Sequence, residues 1–246
     1  MKAVSTAVHT ETHPAGLLVP IAEPETFDPA LNLAREASYI KTVGTPAFRV
    51  WRSTDSLVLG RFLKPEEEVF VKRAAGLGVP VLRRPSGGGA VFHDLGNINY
   101  SFYLPPGHAP RLSIEQSLRA LSFPVTRVLE HCEVPWSWEP PNSVYVLGRK
   151  ISGSAQARSG GRLLHHGTLL VGTDLEKMNS LLRRDGRSSW APVINLREVI
   201  PGIKVEEVES LMRMAMWSSR VTERTQIAAG GSVLAPLQAE MILGEK

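Results

Sequence analysis

Short β-like runs separated by glycine-rich turns fill the middle of the chain. They are Phe48–Arg52, Leu57–Gly60, Val79–Arg83, Ala90–His93, Ile98–Tyr103, Val144–Leu147, Lys150–Gln156 and Leu163–Val171. Two pairs of neighbours are predicted to form hairpins. One turns at Asp94–Asn97, and the other at Gly148-Arg149, where glycine in the first loop position suits a type II′ turn. Because these runs outnumber the helices, the sequence predicts an α+β (mixed α/β) fold, a mostly antiparallel mixed sheet flanked by helices.

The helix signals lie between and outside these runs. Asp28 before Pro29 is a typical N-cap, and Ser113 with Gln116 forms a capping box. Further helices are predicted from Pro65 to Gly76 or Gly78, from Leu175 to Leu182, and over Val205–Trp217. We expect a flexible leader over 1–26, one domain over 27–220, and a tail over 221–246 that is too short for an accessory domain.

Composition excludes several classes of protein. The single cysteine, Cys132, excludes an internal disulfide and a cysteine-based metal cluster. The net charge of +4 is compatible with anionic ligands or an acidic partner. Basic residues are not interleaved with aromatics, so no nucleic-acid partner is predicted. No apolar run reaches the ~18 residues of a membrane span and no signal peptide is present, so we predict a cytoplasmic protein without a membrane partner.

The strongest local feature is the segment from Arg83 to Asp94, which contains Gly87-Gly88-Gly89. Three glycines without Cβ atoms let backbone N–H groups approach an anion or a flat ligand closely. Arg83 and Arg84 can supply charged, planar groups for phosphate or carboxylate. The segment lacks the Gly-Lys-Ser/Thr of a phosphate-binding loop and the spacing of a dinucleotide-binding motif. The alternative is an ordinary glycine-rich turn with solvated arginines.

A second feature is the run Lys150–Gln156. Strict alternation places Lys150, Ser152, Ser154 and Gln156 on one face, and Ile151, Gly153 and Ala155 on the other. A lysine beside small side chains leaves room for a ligand, although an edge strand with a solvated lysine fits the same pattern.

The adjacent residues His165 and His166 lie on the run Leu163–Val171. On a strand they face opposite ways and cannot bind one metal ion together, so no metal site made by protein ligands alone is predicted. We expect one of them to be packed and hydrogen-bonded.

Taken together, these segments resemble the lipoate–protein ligase and octanoyltransferase superfamily, and are most similar to lipoate–protein ligase A. The resemblance rests on three segments: 83–97 for the signature loop, 149–155 for the lysine motif and 165–170 for the strand that follows. Weaker similarity extends it to roughly 27–203. Biotin ligases carry a different loop, which disfavours biotin.

The resemblance implies an active-site lysine at Lys150, which contacts the acyl carbonyl and, in ligases, the α-phosphate of an acyl-adenylate. It implies that the glycine-rich loop and the neighbouring strands bind the acyl group and the nucleotide. The implied binding residues are Arg83, Arg84, Ser86, Gly87, Gly88, Gly89, Ala90, Val91, Phe92, His93, Asn142, Ser152, Gly153, Ser154, His166, Gly167 and Thr168.

The implied activity is attachment of lipoate, through lipoyl-adenylate, to a specific lysine of a lipoyl-domain acceptor protein. It would use ATP and Mg²⁺, with lipoate or octanoate as the acyl substrate, and a separate accessory ligase chain is a further expected partner. The alternatives are an octanoyltransferase that takes its acyl group from an acyl carrier protein, and a non-catalytic module that binds lipoyl groups.

Three departures from the family pattern bear on this choice. Asn142-Ser143 stands where family ligases have Asn-Asp, so a carboxylate is missing. The loop expected to close over the adenylate is 183–189. Cys132 lies upstream of Lys150, as does the nucleophile of one octanoyltransferase class, but it is predicted at a helix end, where buried structural cysteines are common.

Overall fold

The computed structural model describes residues 18–183 and 191–217. The strands are β1 Val19–Pro20, β2 Ala47–Trp51, β3 Ser56–Leu59, β4 Val81–Arg83, β5 Val91–His93, β6 Asn97–Leu104, β7 Ser137–Glu139, β8 Ser143–Val146, β9 Arg149–Ser159 and β10 Arg162–Leu170. The helices are α1 Pro29–Thr42, α2 Pro65–Glu68, α3 Val71–Gly76, α4 Ile114–Leu121, α5 Phe123–His131, α6 Leu175–Leu181, α7 Leu196–Val199 and α8 Val205–Trp217.

The strands form two sheets. The larger has seven strands in the order β1-β2-β6-β10-β9-β8-β7, and the smaller has three in the order β4-β3-β5. Each sheet contains one parallel pair, β1 with β2 and β3 with β4, and the other pairs are antiparallel. The predicted α+β fold with a mostly antiparallel mixed sheet is confirmed.

The two faces of the large sheet have different coverings. On one face, apolar side chains of β2, β6 and β10 pack with those of α5 and α8 in the main core, which includes Phe48, Tyr100, Phe102, Leu129 and Met212. The small sheet has its own core with α3 and α6. Residues of α1 and of the small sheet meet the other face of the large sheet around a cavity. Burial of apolar area therefore assembles two layers of sheet and leaves the cavity between them.

The predicted helix starts are confirmed. Oδ1 of Asp28 accepts a hydrogen bond from the N–H of Leu31 at 2.6 Å. Both hydrogen bonds of the capping box between Ser113 and Gln116 are present at 3.1 Å. These bonds satisfy N–H groups that have no partner inside the helix. The last helix matches its predicted range, Val205–Trp217.

The helix predicted from Pro65 is interrupted. It forms two short helices, α2 and α3, because Val69 adopts an extended conformation (φ −137°, ψ 154°) and bridges to Leu182. The N–H of Phe70 then donates to the carbonyl of Leu181 at 2.9 Å. A tertiary contact with α6 therefore overrides the local helical preference here.

Both predicted hairpins need correction. The strands at 91–93 and 97–104 do not pair, because β6 is already bonded on both edges, by β2 and β10, and β5 joins β3 in the small sheet. The hairpin of β8 and β9 exists, but Val146 pairs with Arg149, so its loop is Leu147-Gly148. Both loop residues have positive φ, 50° and 70°, which defines a type I′ turn.

The predicted leader also needs correction at its C-terminal end. Leu18 is 2% exposed, the N–H of Val19 donates to the carbonyl of Pro46 at 3.0 Å, and Glu23 pairs with Arg49 at 2.5 Å. This segment is ordered because it adds a short strand to the sheet edge. Residues 1–17 of the leader and the predicted tail lie outside the described residues.

Over the described ranges, no helix has the length and hydropathy needed to cross a membrane. The cytoplasmic location stays a prediction.

Candidate active site

A cavity of about 470 Å³ lies between the two sheets. Its wall includes most of the residues that the sequence analysis assigns to binding: Arg84, Gly88, Gly89, Ala90, Val91, Phe92, His93, Asn142, Lys150, Ser152, Gly153, Ser154, His166, Gly167 and Thr168. Arg83, Ser86 and Gly87 are not among the described residues that line it. The two glycine-containing segments, far apart in sequence, thus meet at one cavity.

A β-bulge puts Lys150 into this cavity. Val144 pairs with Ser152 and Tyr145 with Lys150, so one extra residue, Ile151, interrupts the alternation of β9. The Cε and Nζ atoms of Lys150 lie over Gly153, each 2.9 Å from where a Cβ on that glycine would stand. The prediction that Lys150 shares a face with Ser152 and Ser154 is therefore wrong: the lysine lies with Gly153 on the cavity side.

Although Ser154 is among the residues of the cavity wall, its hydroxyl lies on the opposite side of the sheet. This hydroxyl donates to the carbonyl of Asn142 at 3.4 Å and accepts from the hydroxyl of Ser122, the buried N-cap residue of α5, at 3.4 Å. Asn142 in turn donates from Nδ2 to the carbonyl of Ser154 at 2.6 Å. The side chains of Asn142 and Ser154 thus fasten the strand that carries Lys150.

The backbone around Lys150 is fixed by a neighbouring segment. Its N–H donates to the carbonyl of Pro192 at 2.8 Å, and its carbonyl accepts from the N–H of Ile194 at 3.0 Å. Burial, and then the nearby charge of Arg84, lower the pKa of the ammonium. Within 18–183 and 191–217, no hydrogen bond or ion pair engages this ammonium. A half-buried, unpaired cation of this kind favours an anionic ligand.

Arg84 differs from the predicted role of an anion-binding fork. Its Nη2 donates to the carbonyls of Gly87 at 2.7 Å and Gly89 at 2.8 Å, and its Nη1 donates to the carbonyl of Val58 at 3.1 Å. Its Nε donates to the hydroxyl of Ser86 at 3.0 Å. Burial lowers the pKa of Arg84 to about 10, so it stays charged at neutral pH. The guanidinium holds the loop from inside and contributes its positive charge to the cavity wall.

The glycine-rich loop is turned around this arginine. A trans peptide directs its N–H opposite to its C=O, so the N–H of Gly88 points away from Arg84. In the described part of the chain, no acceptor pairs with the N–H of Gly87, Gly88 or Gly89. Gly88 has a φ of +86°, and a Cβ on Gly60 would lie 2.0 Å from the carbonyl oxygen of Gly88. The backbone conformation and this close approach require glycine at both positions.

Arg83 does not reach the cavity. Its Nη1 donates to the carbonyls of Gly60, Arg61 and Leu63 at 2.9, 3.0 and 2.8 Å. The predicted contact of Arg83 with the ligand is therefore replaced by a structural role, because three carbonyls of the 60–63 turn converge on its guanidinium.

The adjacent histidines are both buried, on opposite faces as predicted. His165 lies in the main core, where burial puts its pKa well below the usual range. His166 lines the cavity and contacts Glu36 through Nδ1 at 2.8 Å and Ser86 through Nε2 at 2.6 Å. Glu36, which the sequence analysis did not select, also lines the cavity. Its segment resembles the family only weakly in sequence, so the residue types gave no reason to select it. Only its contact with His166 in the structure marks it as part of the site.

Apolar side chains form a large part of the cavity wall, including Leu33, Trp51, Val58, Phe92, Leu170 and Met178, and the polar residues Glu68 and Asn99 line it as well. His93 lies edge-on to Trp51 with the ring centroids 5.8 Å apart. Burial, and then the charge of Arg84, lower the pKa of His93 to about 3, so its imidazole is neutral at physiological pH. Among the described residues, the cavity thus combines an apolar region with an ammonium and backbone N–H groups that have no partner, as a ligand with an apolar chain and an anionic end requires.

Cys132 lies apart from this cavity. It is the C-cap of α5, packs against the main core on the opposite face of the large sheet, and is not among the cavity-lining residues described. Burial raises the pKa of its thiol, which makes it a weaker nucleophile at neutral pH.

Of the predicted closing loop 183–189, residues 184–189 lie outside the described structure. Arg183 lines the cavity, and its guanidinium lies 5.1 Å from the ring of Phe70.

The fold and cavity define a class of protein: a mixed-sheet enzyme domain that presents one lysine ammonium and a glycine-rich backbone to a ligand with an apolar chain. Residues 28–216 match the model of the lipoyl protein ligase A/B catalytic domain. A protein of Aeropyrum pernix, named provisionally as lipoate-protein ligase A, is 35% identical over 188 residues, 72% of this chain and 70% of its own. The chain therefore belongs to the lipoate-protein ligase family of enzymes.

Solved structures show the same fold. A bipartite lipoate protein ligase from Thermoplasma acidophilum, studied with its E2 lipoyl domain, superposes with a TM-score of 0.70 at 24% identity and covers 88% of this chain and 91% of its own. A lipoate-protein ligase A bound with ATP superposes with a TM-score of 0.69 at 24% identity, and it covers 87% of this chain and 92% of its own.

Proposed function

We propose that the protein attaches lipoate, through lipoyl-adenylate, to a specific lysine of a lipoyl-domain acceptor protein. The observation that carries the proposal is the ammonium of Lys150, which lies unpaired among the described residues, above Gly153 and in the same cavity wall as the glycine-rich loop. A cation at this point suits a carbonyl bonded to phosphate better than it suits an uncharged acyl chain.

The proposed reaction has two steps. The carboxylate of lipoate attacks the α-phosphorus of ATP, pyrophosphate leaves, and lipoyl-adenylate forms. The ε-amine of the acceptor lysine then attacks the acyl carbonyl, AMP leaves, and the amine loses a proton as the amide forms. The ammonium of Lys150 would stabilise the charge that develops on the carbonyl oxygen and the α-phosphate, and the N–H of Gly88 would donate to a phosphate oxygen.

The residues present fit these substrates. The apolar part of the wall, with Leu33, Trp51 and Val58 packed in one cluster, would hold the acyl chain. Mg²⁺ would enter with ATP and be held mainly by the phosphates. In the described ranges, His, Cys, Asp and Glu form no group of three suited to a metal ion. The ATP-bound and bipartite relatives support the choice of ATP, a lipoyl-domain acceptor and an accessory chain.

The decisive experiment supplies separate acyl donors to the purified protein and an apo lipoyl domain. One reaction contains lipoate with MgATP, and the other contains octanoyl carrier protein; the acceptor is then weighed by mass spectrometry. We expect the lipoyl mass increase in the first reaction, and its loss when the acceptor lysine is replaced by arginine. Each reaction is repeated with a candidate accessory chain. Modification from octanoyl carrier protein alone would refute the adenylate route.

A further inference from the structure

Ser86, His166 and Glu36 are arranged like a serine–histidine–acid triad. The Ser86 Oγ lies 2.6 Å from His166 Nε2, and His166 Nδ1 lies 2.8 Å from Glu36 Oε2. A nucleophile, however, must reach its substrate. Ser86 is 1% exposed and is not among the described cavity-lining residues, and its Oγ already accepts from Arg84 Nε at 3.0 Å. These contacts form a series of hydrogen bonds that ends on the glycine-rich loop. They do not present the serine to a substrate.

The proton positions along this series of hydrogen bonds follow from its two ends, Glu36 and Arg84. Glu36 is fully buried; burial alone raises the pKa of its carboxyl, but His166 and the hydroxyl of Ser101 lower it further than burial raises it, so Glu36 is ionised. An ionised carboxylate can only accept, so Nδ1 of His166 donates to it. In the tautomer that carries its proton on Nδ1, the Nε2 atom of His166 accepts from the hydroxyl of Ser86, 2.6 Å away. That leaves the Ser86 oxygen lone pairs for Arg84.

Arg84 is the link between this chain and the ligand. Its Nη2 holds the carbonyls of Gly87 and Gly89, which determines where the N–H of Gly88 points. Ser86 holds Nε of the same guanidinium, and His166 belongs to β10 of the opposite sheet. The orientation of the loop amides is thus connected, through the side chains of Arg84, Ser86 and His166, to the Glu36 carboxylate on α1.

We propose that Glu36, His166 and Ser86 are positioning residues that, through Arg84, orient the glycine-rich loop for binding the nucleotide phosphate. This inference rests on the proposed function. It predicts that a change at Glu36 alters nucleotide binding by way of Ser86, although Glu36 and Ser86 do not touch.

The test is a double-mutant cycle with Ser86→Ala and Glu36→Gln. Alanine removes the hydroxyl that steadies Arg84. Glutamine keeps the size of Glu36 but can donate to Nδ1, which shifts the His166 proton to Nε2 and reverses the bond to Ser86. Binding of ATP and of a non-hydrolysable lipoyl-sulfamoyl-adenosine analogue is measured by calorimetry, together with KM and kcat.

Each single variant is expected to weaken analogue binding about tenfold, the usual effect of losing one buried hydrogen bond. KM for ATP should rise with kcat little changed, because the loop binds phosphate equally in the ground state and the transition state. The double variant should bind no more weakly than Ser86→Ala, since the second change acts through a serine hydroxyl that is already gone.

The control is Ser117→Ala, which removes another fully buried serine hydroxyl, one that donates to the carbonyl of Ile114 at 2.8 Å on the far side of the large sheet. It should lower the melting temperature comparably and leave ATP binding unchanged. Multiplicative losses in the double variant, or labelling of Ser86 by a fluorophosphonate, would overturn the inference. If the wild type binds both ligands and Ser86→Ala binds them equally well, the inference is overturned while the proposed function stands. Failure of the wild type to bind either ligand would overturn both.

Discussion

Replacing Gly153 with alanine tests the placement of the lysine ammonium. The new Cβ would lie 2.9 Å from both Cε and Nζ of Lys150. Carbon atoms in contact normally stay ~3.5 to 4 Å apart, so the end of the lysine must move by roughly 0.6 to 1 Å. The far end of a flexible side chain can make this shift without moving the backbone. A misplacement of about 1 Å at a reacting centre costs about 100-fold in rate, or about 2.7 kcal/mol of barrier.

The assay for Gly153→Ala is the initial rate of acceptor modification, with the melting temperature measured in parallel. We expect kcat to fall about 100-fold while the melting temperature stays the same or rises slightly, because glycine weakens a strand relative to alanine. Gly44→Ala is the matched control, since a Cβ there meets nothing within 4 Å. Wild-type kcat in a folded Gly153→Ala protein would refute the reasoning.

Further predictions concern single groups in or near the cavity. Lys150→Met should abolish transfer without lowering the melting temperature, because it removes a half-buried charge beside Arg84; residual transfer would contradict the assignment. The lowered pKa of Lys150 should place the alkaline loss of activity below 10.5, the usual lysine pKa, as a pH–rate profile would reveal. His93, with its pKa near 3, should make stability fall with decreasing pH below about 6.5, by up to about 1.4 kcal/mol per pH unit, because only the unfolded chain gains the proton there. Urea unfolding at pH 7 and 4.5 should show a smaller loss for His93→Gln. The Cys132→Ser variant should retain full transfer activity. Loss of transfer in this variant would favour a route through a thioester on Cys132.

Local sequence signals predicted the elements but not how they pair. The caps at Asp28 and Ser113 act within one helical turn, so they could be predicted directly. The pairing of β5 with β3 could not, because it depends on β6 being bonded on both edges by distant strands. The same reason explains the broken helix after Pro65, where a bridge from Val69 to Leu182 competes with helix formation.

The candidate site shows the same division. The loop and the lysine strand were selected by residue type, and most of the selected residues line the cavity. Alternation alone placed Lys150 on the wrong face, because a bulge at Ile151 cannot be foreseen from period-two spacing. Arg83 and Arg84 were expected to face the ligand, but an arginine beside glycines has many backbone carbonyls within reach, and both bind these.

By itself, the sequence of this protein determined the fold class, the family and the two segments that carry the chemistry, because these depend on residue type and local spacing. Only the tertiary structure decided which atoms meet the ligand. It turned Lys150 into the cavity through the bulge, directed the arginines to the loop carbonyls, and joined Glu36 of α1 to Ser86 through His166. Such contacts join residues 80 and 130 positions apart, and they form only when the two sheets pack and exclude water from the polar groups between them.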